Sequence, residues 1–201
     1  MRKPKGLSST TRLRRALVAL AALLAVVLDF NGEPSHYFTY FTVLTNLGIG
    51  VWFFGAALTP RWERASGVRL ALTVYGLTTL LIYWIFLAPT HHPQGITVLA
   101  NLILHLVVPV CMAVEDLLVP RRASRLAPLW CLSFPAAYAL FSLIRGTTTG
   151  WYPYFFFDVQ KWPGGWPELT GFLGLLLVLL IVLAFGWQLV IRRRHRVEAG
   201  E

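Results

Sequence analysis

The stretch Tyr37-Phe38-Thr39-Tyr40-Phe41-Thr42-Val43-Leu44-Thr45-Asn46-Leu47 opens an apolar run that continues through Val51, Trp52, Phe53, Phe54 and Leu58. Its length predicts a membrane-spanning helix. Thr39, Thr42 and Asn46 fall at i, i+3 and i+7 and so share one face of that helix. Lipid offers such a face no hydrogen bonds, so the polar residues are expected to point into the protein.

Composition supports a membrane reading. Of 201 residues, 56% are hydrophobic and 13% charged, against about a quarter charged in soluble domains. The formal net charge of +9 does not point to nucleic acid, because the basic residues lie between and beyond the apolar blocks rather than in a patch. Cys111 and Cys131 fall inside apolar blocks, without the spacing of a metal site or a disulfide framework.

Working outward, the blocks predict an all-α integral membrane bundle of six transmembrane helices over about 13–30, 38–59, 68–88, 96–117, 126–145 and 167–191. Residues 1–12 read as a basic tail, 13–192 as the membrane domain and 193–201 as a second tail. No small-residue cleavage site follows Ala16–Leu28, so the first span is expected to be retained. Pro60, Pro89 and Pro120 end spans, Pro167 opens the last, and Pro128 and Pro135 are expected to bend the fifth. If the spans alternate, sixteen of the eighteen Lys and Arg residues lie on one side, leaving Arg145 and Lys161 on the other. That side is cytoplasmic by the positive-inside rule, as are both termini, which suits a bacterial plasma-membrane protein. The 146–166 loop is then extracytoplasmic. Its Phe155-Phe156-Phe157 run predicts a re-entrant lid rather than a segment left in water.

The fourth span carries Asn101 and His105 at i, i+4. Counting from Phe38 and Ile96, Thr42 and Asn101 lie roughly 6–8 Å below the outer boundary and Asn46 and His105 roughly 12–14 Å. Two helices thus bring polar faces to matching depths. Each residue also has a plainer role: hydroxyls and amides are packing contacts in membranes, and an intramembrane histidine can serve as a helix-to-helix donor. Glu115 and Asp116 are expected in an ion-pair cluster with Arg121, Arg122 and Arg125. Arg145 and Asp158 are expected to pair and hold the loop, with Asp29 a further partner.

An imidazole within reach of a threonine hydroxyl can act as its general base, and an Asn amide can serve as oxyanion donor. In a hydrocarbon setting that chemistry suits acyl transfer or hydrolysis of a membrane lipid ester. There is no GxSxG elbow, P-loop or dinucleotide fingerprint. His91-His92 read as polar residues of a short external loop. Neither a metal nor a cofactor is implied. Lipid or small-molecule binding or transport on the same bundle is the alternative, and a purely structural membrane partner a third. The oligomeric state is left open.

Phe38-Thr39-Tyr40-Phe41-Thr42-Val43-Leu44-Thr45-Asn46, His105 with Pro109 and Glu115, and Tyr152-Pro153-Tyr154 with Asp158 occur in that order. Together they resemble the androgen-induced membrane-protein family and its bacterial six-span "Pr-six-Pr" relatives, from the first span to the sixth. The animal members are threonine hydrolases of fatty-acid esters of hydroxy fatty acids. The resemblance implies that His105 is the catalytic histidine. An ungapped match on Asn46 places Val43 at the family's threonine position, with Thr42 and Thr45 as its neighbours. Thr42 is the preferred nucleophile because it shares a face with Thr39 and Asn46, and Thr45 is the alternative. Thr39, Asn46, Asn101, Arg145, Tyr152, Tyr154 and Asp158 are then supporting or pocket residues.

Overall fold

The computed structural model describes residues 7–30, 32–119 and 124–199, and every regular element among them is helical. Arg2, Lys3, Lys5, Pro120, Arg121 and Arg122 lie outside the described residues. The main helices are α1 (Ser9–Asp29), α2 (Phe41–Leu58), α3 (Ser66–Leu87), α4 (Ile96–Leu118), α5 (Ala127–Thr149) and α6 (Gly165–Ala199).

Five of them, α2 to α6, are long and apolar enough to cross a membrane. The expected sixth, α1, begins four residues earlier than the sequence predicts and carries Arg12, Arg14 and Arg15 in its first two turns. Its apolar part, Ala16–Leu28, is therefore shorter than the others. α2 starts at Phe41 rather than Phe38, because Pro34–Tyr37 forms a separate helical turn. α6 continues to Ala199, so most of the stretch expected as a tail is helix.

Each irregularity has a local cause. Ser8 Oγ caps α1 by accepting from the Thr11 N–H. α5 breaks at Cys131-Leu132 between the turn Ala127–Trp130 and the helix Ser133–Thr149, since Pro135 has no N–H for the carbonyl of Cys131. α3 ends in a π-helical segment, Tyr83–Leu87, and α4 carries another, Ile103–Val107, each followed within two residues by proline (Pro89, Pro109). Inserted π turns of this kind are frequent at functional sites.

α1 packs on α2 and α4, and α3 sits between α2, α4 and α6. Trp52, Phe53, Ile49 and Met112 fill the seam among α1, α2 and α4. The Ser133–Thr149 part of α5 packs on the turn Phe155–Phe157 and meets α2 and α3 near its start, through Phe134 and Tyr138. A gap opens between α3, α5 and α6.

The two ends of the bundle differ. At the basic end, Arg15 reaches Glu115 (2.7 Å) and Glu63 (2.7 Å), and Arg14 reaches the other oxygen of Glu115. Arg69 meets Asp116 at 2.7 Å, and Asp116 also accepts from Trp187 Nε1 at 2.8 Å. Arg15, Arg69, Glu115 and Asp116 are all buried. An ion-pair cluster thus forms, and Glu115 and Asp116 take arginines from α1 and α3, which cross beside them; the expected partners Arg121 and Arg122 lie outside the described residues. At the other end, Phe156 and Phe157 of the loop are buried and Phe155 is half exposed.

Candidate functional site

The first amides of α2 have no partners in their own helix, and two phenols supply them. Tyr138 oxygen accepts from Phe41 N–H and Tyr154 oxygen from Thr42 N–H, both at 3.2 Å. This fixes the start of α2 against α5 and the loop.

Thr42 points from that first turn toward α4. Its Oγ1 lies 3.3 Å from His105 Nε2 and 3.3 Å from the Tyr154 hydroxyl. His105 Nδ1 is 3.0 Å from the carbonyl of Asn101. A carbonyl only accepts, so Nδ1 carries the proton and Nε2 of the neutral ring turns its lone pair to Thr42. Thr42 then donates to His105, which leaves Tyr154 O–H as the donor to Thr42 Oγ1. Both Thr42 (8% exposed) and His105 (7%) are sheltered from solvent.

Tyr83 packs flat on the imidazole, with ring centroids 3.8 Å apart, and its hydroxyl accepts from Asn101 Nδ2 at 2.7 Å. The two stacked rings belong to the two π-helical segments. Tyr83 hydroxyl also lies 3.3 Å from His91 Nδ1.

Asn46 supports the site from behind. In the π turn, the Val108 N–H goes to Ile103 and Pro109 has none to give, so the Leu104 carbonyl lacks its helical donor. Asn46 Nδ2 supplies it at 3.1 Å and also reaches the Thr42 carbonyl at 2.9 Å. The amide donors of Asn46 and Asn101 are thus engaged, and neither is aimed at an oxyanion beside Thr42. The Tyr154 hydroxyl is the donor that reaches Thr42 Oγ1.

The remaining predicted residues are placed as follows. Thr39 lies before α2, where its hydroxyl donates to the His36 carbonyl at 2.6 Å, so it does not share the helical face of Thr42. Thr45 is buried with its hydroxyl unpartnered and borders neither cavity described below. Equal depths from the expected span starts would pair Thr42 with Asn101 and Asn46 with His105; the contacts instead run from Thr42 to His105 and from Asn46 to the Leu104 carbonyl. Arg145 and Asp158 hold the loop separately. Arg145 donates to the Ser35 carbonyl and lies over the Trp151 ring, while Asp158 accepts from Gln160 N–H. Tyr152 lies directly against Gly146, where a Cβ would collide with its ring. The Tyr37 hydroxyl donates to the Val26 carbonyl at 2.6 Å, with Asp29 Oδ2 farther off at 3.5 Å.

Tyr83, Tyr138 and His91 were not singled out from sequence as site residues. The one sequence signal for Tyr83 is its place before Pro89, where the π turn forms.

Two cavities meet at Thr42. One, of 720 Å³, is polar and is lined by Asp29, Tyr37, Tyr40, His91, Gln94 and His105 among others. The second, of 250 Å³, is apolar and fills the gap between α3, α5 and α6. Thr42, Tyr83, Leu87 and Tyr154 border both. Among the described residues, no group of three or more His, Cys, Asp or Glu side chains is placed to hold a metal ion. Burial pushes the Tyr154 phenol up to about 12, so it stays a neutral donor at ordinary pH. No family model, curated protein or solved structure matches the chain.

Proposed function

We propose that this protein is a six-span membrane hydrolase of lipid esters, with α1 as the first span, both termini cytoplasmic and the 150–164 loop folded back as a re-entrant lid. The distribution of Lys and Arg supports the orientation. The observation that carries the activity is the Thr42 hydroxyl 3.3 Å from His105 Nε2, with the ring's other nitrogen tied to the Asn101 carbonyl. The resemblance to the androgen-induced family points the same way.

In this reading Thr42 Oγ attacks the ester carbonyl carbon as its proton passes to His105 Nε2. Tyr154 O–H turns from Thr42 Oγ1 to the developing oxyanion. The imidazolium, held by the Asn101 carbonyl, returns its proton to the leaving alkoxide, giving an acyl-Thr42 ester and a free alcohol. Water then attacks that ester with His105 as base, releasing the fatty acid and restoring the Thr42 hydroxyl.

Labelling by a fluorophosphonate probe tests this. Wild type and Thr45→Ala are expected to label, and Thr42→Ala and His105→Ala are not. A folded wild-type protein that fails to label would reject the nucleophile and leave lipid binding or transport as the function of the pocket.

A further inference from the structure

Building on the hydrolase reading, we infer that the substrate is an acyl ester of a neutral, hydroxyl-rich alcohol, with the acyl chain in the α3/α5/α6 groove and the alcohol in the polar cavity. Thr42 borders both spaces, so an ester with its carbonyl at Thr42 Oγ1 must extend one arm into each.

The arms face opposite environments. The groove is walled by Leu173, Leu176 and Leu180 of α6, Ile82 of α3, and Ala136 and Ala139 of α5. An alcohol rich in hydroxyls placed there would leave its hydrogen bonds unmade, at a cost hydrocarbon does not incur. The polar cavity offers Tyr37, Tyr40, His91, Gln94, Thr90 and Thr97 as donors and acceptors. A second long chain there would set these polar side chains against hydrocarbon. The cavity's residues also set the charge of the alcohol. Its carboxylate is Asp29, and among the described residues lining it there is no Lys or Arg. An anionic alcohol, such as a hydroxy acid, would meet Asp29 with no fixed cation to offset it.

Ala136 and Ala139 are the small residues on the groove wall, so enlarging either narrows the space left for the chain.

The test is photo-crosslinking of full-length protein in nanodiscs with a monodecanoylglycerol bearing a diazirine at the chain terminus, mapped by peptide mass spectrometry. The readout needs no hydrolysis, so it is also run on Thr42→Ala. Saturable crosslinks are expected in residues 132–139 and 172–180, at similar yield in Thr42→Ala. Ala139→Phe, and independently Ala136→Leu, should cut them at least five-fold. Unlabelled monodecanoylglycerol should compete at least five-fold better than a decanoyl ester of an anionic hydroxy acid. Crosslinks in residues 90–97, crosslinks that do not saturate, or equal competition by the anionic ester would overturn the assignment. Failure of the hydrolase reading alone would appear differently, as absent fluorophosphonate labelling with the groove crosslinks intact.

Discussion

The two ends of the bundle handle buried polarity in opposite ways. At the basic end, Arg15, Arg69, Glu115 and Asp116 are buried and paired with one another, with Arg14 and Glu63, with backbone carbonyls and with Trp187. At the loop end, the network of Thr42, His105, Tyr83, Tyr154, Asn46 and Asn101 contains no carboxylate, ammonium or guanidinium group. It leaves two acceptors, Asn46 Oδ1 and Asn101 Oδ1, without partners. A closed set of charges ties helices together and offers nothing to a ligand. A network whose Thr42, Tyr83 and Tyr154 side chains border two cavities can meet one. The contrast separates a structural lock from a site.

If that division is right, substitutions at the two ends should fail differently. The largest effect on stability is expected from Asp116→Ala, which strands Arg69 without its carboxylate and should cost about 3–5 kcal/mol. It would be seen as a lower unfolding midpoint in detergent, and an unchanged midpoint would mean that the lock contributes nothing. Asn46→Leu removes the donor to the Leu104 carbonyl and should cost about 1–3 kcal/mol. Labelling at Thr42 should nevertheless persist in folded protein; its abolition would return Asn46 to the chemistry. Gly146→Ala forces the Tyr152 ring to move and should cost about 1–3 kcal/mol through overpacking, read in the same unfolding experiment.

Tyr154→Phe takes the acceptor from the Thr42 amide and should cost about 1–3 kcal/mol, and it should slow the reaction about 10²-fold, the range for loss of one oxyanion donor. An unaffected rate would remove Tyr154 from the transition state. The smallest effect is on alkaline stability. The phenol's value in the folded state lies above its unfolded value of about 10, so its contribution is complete below pH 10. It is lost as pH rises toward about 12. Tyr154→Phe should flatten the loss of stability between those limits, and a parallel decline in both proteins would contradict this.

Much of the fold was legible along the chain. Hydropathy and proline punctuation located α2 to α6, since lipid selects long apolar runs whatever their neighbours. Thr42 and His105 were also legible, because a hydroxyl and an imidazole inside apolar helices stand out against that background. The partners were not. Glu115 and Asp116 were matched to arginines nearby in sequence, whereas the bundle brings Arg15 and Arg69 from helices α1 and α3. Thr39 read as part of the polar face until a separate turn at Pro34–Tyr37 moved the start of α2 to Phe41.

What the sequence determined by itself is therefore the class of the molecule: an all-helical membrane bundle, charged at one end, with polar residues in two of its helices. What only the tertiary structure decided is which of those residues meet. That choice rests on two π turns and one displaced helix start, each shifting a side chain by about 100° or a few ångströms. Hydrophobic periodicity is insensitive to shifts of that size, whereas a hydrogen bond between Thr42 and His105 tolerates almost none.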